Sequence, residues 1–260
     1  ACLISSDVTK NSNSGGLVRI IFSYIGGIFI FAGLSVLVNM VWGDLNSAAR
    51  VIITLGPGLI ALILGLVALQ DPRYVKAFPP LILMAAFLQP SGLFVFLNEF
   101  FPGDDAELAT MIVFAPMALQ MGILFAYLKR TSFLLLTIVF VWLFFAAAFS
   151  KLGVDWEYAA IILGLSGLLI SYAVNQTKYR AITPLTFFIF GIYFAAGVTQ
   201  ALDHQFPFDL LLIGVAGAMI YASVLAQSRS LLTVGVLYML ACLQYYTAEY
   251  FVGITGWPIA

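Results

Sequence analysis

Charge is the scarcest property of this sequence. Only 9% of its 260 residues are Asp, Glu, Lys or Arg, against 63% hydrophobic ones, and the mean hydropathy is +1.07. A chain so composed has too little polar surface to clothe a core in water, and its solvent is a bilayer. Histidine occurs once, at His204, and cysteine twice, at Cys2 and Cys242. That set builds neither a disulfide framework nor a CxxC metal site, so no cofactor and no metal are expected. Cys2 follows Ala1, whereas an acylated lipoprotein cysteine would stand first. A net charge of −1 supplies no field to attract nucleic acid. No polar stretch is long enough for an extramembrane domain.

What is present is a series of apolar runs. After a Ser/Asn/Gly-rich segment, 1–16, read as a flexible cytoplasmic tail, nine runs follow in a single transmembrane domain, 17–252. They cover 17–42, 48–69, 78–101, 108–128, 132–151, 157–175, 181–202, 209–227 and 231–252. Runs of about 20 residues cross a hydrocarbon core of about 30 Å as helices. The fold class expected is an all-α polytopic bundle of nine helices built as consecutive hairpins. The stretch 78–130 serves as the pattern, with two runs flanking an acidic turn and ending in Lys129-Arg130.

The few charges are sorted by side. Lys10, Arg19, Arg73, Lys76, Lys129, Arg130, Lys178, Arg180 and Arg229 fall at the amino end or after even-numbered runs, and only Arg50 and Lys151 fall opposite. Basic loops stay in the cytoplasm, which places the amino terminus there. The basic turns recur near 73, 129, 178 and 229, at about one hairpin per period, so internal duplication is one reading of the pattern.

Helices in lipid approach closely through small residues on one face. Such stripes are Ala118, Gly122 and Ala126; Gly214, Ala218, Ala222 and Ala226; Gly191, Ala195 and Thr199; and Ala160, Gly164, Gly167 and Ser171. They predict tight packing and a face for another membrane protein or a second copy. No ionisable residue lies at depth, which argues against a proton relay. The polar groups at depth are neutral: Gln89 and Gln120, on neighbouring antiparallel runs, each sit about 12–15 Å from the basic end by rise per residue. The reading favoured is an amide pair holding that hairpin together; the alternative is a polar midplane site. Pro57, Pro90, Pro116 and Pro184 are candidate helix breaks, and Gln244, Tyr245 and Tyr246 bring polarity to the ninth run. The outer acids Glu99, Asp104, Asp105 and Glu107 read as a solvated rim rather than a metal site.

Tyr24-Ile25-Gly26-Gly27 through Trp42-Gly43-Asp44, Ala181-Ile182-Thr183-Pro184, Ser228-Arg229-Ser230 and Tyr245-Tyr246-Thr247 through Gly256-Trp257-Pro258 span most of the chain. In these landmarks the chain resembles a family of bacterial predicted membrane proteins classed as a domain of unknown function. The resemblance implies a polytopic inner-membrane protein and brings no catalytic residues. Residues 253–260 read as an outer turn leading to a tenth helix, since nine helices paired in this way leave the last without a partner. The expected function is a non-enzymatic structural or accessory subunit of a membrane complex. The alternative is a transporter or channel for a small neutral or lipid-like solute.

Overall fold

The computed structural model describes residues 36, 39–202 and 211–251, with side chains as far as Thr247. The tail, most of the first run, His204 and the 253–260 turn lie outside the described residues. Eight α-helices follow the end of the first run: α1 (Ser47–Ala68), α2 (Phe78–Phe100), α3 (Ala106–Leu128), α4 (Thr131–Lys151), α5 (Trp156–Asn175), α6 (Thr183–Leu202), α7 (Leu211–Leu225) and α8 (Arg229–Phe251). No strand occurs among the described residues. All but α7 are long and apolar enough to cross a membrane; the 15 described residues of α7 cover about 22 Å. The chain is an all-α, multi-pass membrane bundle.

Local chemistry sets the helix ends. Asn46 and Asp105 cap α1 and α3 by accepting the N–H of Ala49 at 2.8 Å and of Leu108 at 3.0 Å. Left-handed residues stop α3 at Lys129 (φ 50°), α4 at Gly153 (φ 71°) and α7 at Gln227 (φ 48°). At two of these ends the next N–H reaches back five residues, Val154 to Phe149 and Ser228 to Ser223, both at 3.0 Å.

Packing is closest within four hairpins: α1 with α2, α3 with α4, α5 with α6 and α7 with α8. Each is joined by a basic turn, whereas α2 and α3, joined by the acidic turn, touch only lightly. The pairing expected around 78–130 is therefore shifted by one helix. It follows that α8 is partnered, by α7 and also by α6, and the unpaired last helix expected from the sequence is corrected.

Glycine explains the closeness. A Cβ on Gly58 would lie 2.8 Å from the Gln89 nitrogen, and one on Gly92 would lie 2.5 Å from Leu55 Cα. In α5–α6 the same crossing recurs. Gly164 would meet Phe194 Cα at 2.7 Å and Gly197 would meet Ala160 Cβ at 2.7 Å and the Ile161 nitrogen at 2.9 Å. Gln89 and Phe194, like Gly92 and Gly197, are 105 positions apart, and Gly58 and Gly164, like Leu55 and Ile161, are 106 apart. Short 3-10 turns, Val75–Ala77 and Arg180–Ile182, precede both second helices. This correspondence favours duplication, with α1–α4 and α5–α8 as the two halves. Their cores are separate too: Ile82, Met121 and Phe133 centre one, Phe187, Met219 and Val234 the other.

Candidate functional site

Gln89 is completely buried on the face of α2 that meets α1, in line with Ile82, Ala85 and Ala86. Its Nε2 donates to the Gly58 carbonyl at 3.4 Å, and its Oε1 is buried without a partner. Gln120 is half-buried on α3 and forms no hydrogen bond with Gln89. The expected amide pair is thus corrected: α2 turns its glutamine toward the preceding helix, where Gly58 admits it. The site is a packed interhelical contact.

The candidate breaks are corrected as well. Pro57, Pro90 and Pro116 lie inside helices that continue through them, and Pro184 is the second residue of α6. Proline is tolerated early in a helix, where its missing N–H would have no acceptor. Beside Pro90 the Ser91 hydroxyl donates to Phe87 O at 2.9 Å, the local side-chain support that membrane helices use around proline.

Of the small-residue stripes, Ala160, Gly164, Gly167 and Ser171 are all buried against α6. Ala118 and Gly122 are half-buried, a Cβ on Gly122 would lie 3.6 Å from Thr137 Cγ2 across the α3–α4 pair, and Ala126 is exposed. Gly214, Ala218 and Ala222 are exposed, with nothing within 4 Å of a Cβ at Gly214, so these three face out of the bundle, while the fourth member of the stripe, Ala226, is buried in the core.

At the acidic rim two ion pairs tie helices together. The Arg50 guanidinium donates to Glu99 at 2.7 Å and to the Trp42 carbonyl at 3.1 Å, with its charge 5.5 Å from the Trp42 ring centre. Lys151 donates to Asp105. That ammonium and the Leu108 N–H hold the Asp105 carboxyl below its ordinary value. No cluster of three His, Cys, Asp or Glu able to hold a metal occurs among the described residues.

The seam between the two halves holds a feature the sequence reading missed. An apolar groove of about 440 Å³ runs between α4 and α5, lined by Thr137, Trp142, Phe149, Ile162, Ile170 and Phe190 among others. Trp142 contacts Tyr193 edge-to-face at 4.8 Å and Phe190 at 6.3 Å, and its indole N–H is buried without an acceptor. A tryptophan in mid-span departs from the residue's preference for the interface, and that was the available signal. The groove suits a hydrocarbon chain and offers no nucleophile beside a base. A smaller polar contact, Thr199 Oγ1 to the Tyr238 hydroxyl at 3.0 Å, joins α6 to α8.

No family model matches the chain, and no curated protein or solved structure is significantly similar to it.

Proposed function

We propose that this chain is a non-enzymatic accessory subunit of a membrane complex in a bacterial inner membrane, with its amino terminus in the cytoplasm. One observation carries the reading: the outward face of α7 presents Gly214, Ala218 and Ala222 to the surroundings. Lipid tails gain nothing from a flat strip of small residues, whereas another helix can approach its backbone closely. The partner is a helix of a second membrane protein or of a second copy. In mild detergent the protein should migrate as an assembly larger than its 28.3 kDa mass, and Ala218→Leu should disperse that assembly while leaving helix content unchanged. Migration as a lone monomer, together with solute flux in reconstituted vesicles, would replace this reading with the second one. That alternative, carriage of a lipid-like solute, draws on the apolar α4–α5 groove.

A further inference from the structure

At the basic rim the third and fourth hairpins line an open cavity of about 540 Å³, unlike the apolar grooves in that close to half of its surface is polar, contributed by Asn175, Arg180, Thr183, Arg229 and Ser230 among others. Its framework is cross-braced. Asn175 donates to Ala226 O at 2.9 Å and accepts from the Thr183 hydroxyl at 3.1 Å, which fastens the 176–182 turn to the 226–228 turn. Neither arginine has a carboxylate: among the described residues the two ion pairs are Arg50–Glu99 and Lys151–Asp105, both at the opposite rim. The cavity also receives the start of α8, where Ser228 Oγ accepts the Leu231 N–H at 3.4 Å and the positive end of the helix dipole favours an anion.

The same two helices carry an apolar trough deeper in the membrane. It has a volume of about 360 Å³ and is lined by Ala195 of α6 and Val234, Leu237 and Ala241 of α8, among others. Ser230 of the cavity and Val234, Leu237 and Ala241 of the trough are spaced i, i+4, i+7 and i+11, one face of α8. On α6, Pro184 of the cavity and Ala195 of the trough are eleven apart, again on one face. From Ser230 to Ala241 the helix rises about 16 Å, close to the depth of one leaflet of a core of about 30 Å. A basic polar cavity at the rim, in line with an apolar trough one leaflet deep, has the two-part chemistry of a phospholipid. We propose that this is a binding site for an anionic phospholipid, its phosphate held by Arg180 and Arg229 and one acyl chain laid along the α6–α8 trough. Basic pockets between membrane helices recognise headgroups in this way.

The test uses the full chain in mild detergent, titrated with fluorescent phosphatidylglycerol, with phosphatidylcholine, and with inorganic phosphate as competitor. The expected result is preference for phosphatidylglycerol, a fall of roughly tenfold or more in Arg180→Gln/Arg229→Gln, the scale of two lost arginine–phosphate contacts, and a fall in Ala241→Trp, which fills the trough. The single variants Arg180→Gln and Arg229→Gln serve if the double one loses helix content. Equal affinity in the wild type and the arginine variants would overturn the proposal. So would displacement by inorganic phosphate at the lipid's own affinity with no effect of Ala241→Trp, which would leave a free-phosphate site.

Discussion

Arg50 and Lys151 are the two basic residues that break the charge asymmetry of the sequence, and each is met by an acid from a neighbouring helix or its cap. Arg50 is half-buried and Glu99 more so, at 24% and 13% side-chain exposure, so this pair is shielded enough to matter. Glu99→Gln should lower stability by removing a charge-assisted hydrogen bond between helices, read as a lower Tm in detergent. An unchanged Tm would mean that water already screens the pair. Asp105 is more open, and its effect is read through pH. Because Lys151 and the Leu108 N–H hold its folded carboxyl below the ordinary value of 3.8, its contribution is complete above that value. It is lost as pH falls through the depressed folded value. Acid titration of unfolding should therefore flatten below 3.8 in Asp105→Asn relative to the wild type, and identical curves would remove Asp105 from the account.

Among the elements, glycines divide into those that admit a neighbouring helix and those that face open space, and the sequence does not separate them. Gly92 and Gly214 both sit in apolar runs; a Cβ on the first would meet Leu55 Cα, and one on the second would meet nothing within 4 Å. Gly92→Ala should cost about 1–3 kcal/mol as α1 and α2 are forced apart. Gly214→Ala should be neutral or stabilising by up to about 1 kcal/mol. Denaturation followed by circular dichroism compares the two, and equal effects would refute the close crossing. Gln89 illustrates the same limit. Its depth follows from counting residues, but α2 is apolar around most of its circumference, so periodicity could not tell which neighbour the amide would face. With a 3.4 Å bond and an orphaned oxygen, Gln89→Leu should change stability by less than about 1 kcal/mol, since loss of a weak bond is offset by removal of an unsatisfied acceptor. A large loss would show that water completes the amide's contacts.

At the scale of the molecule, span positions and fold class were legible because a 30 Å hydrocarbon layer imposes helix length directly on composition. The pairing of spans was not, since hydropathy is blind to which turn joins the closer partners; in the first and third hairpins Gly58, Gly92, Gly164 and Gly197 permit the close crossing. The orientation we propose rests on the basic turns, which in the fold become the links inside the four close hairpins. Arg73 and Lys76, Lys129 and Arg130, and Lys178 and Arg180 lie at the turns of the first three hairpins, and Arg229 opens the second helix of the fourth. Such short basic turns remain on the side of synthesis, because moving several positive charges across the bilayer is unfavourable. Each close hairpin would then insert as a unit with its turn in the cytoplasm. In a background with Cys2 and Cys242 replaced, a membrane-impermeant maleimide should label Asp104→Cys in intact cells and leave Lys178→Cys unmodified until the cells are opened. Labelling of Lys178→Cys alone would invert the bundle and put the arginine cavity on the outer leaflet, while labelling of both would mean that the molecule inserts in two orientations.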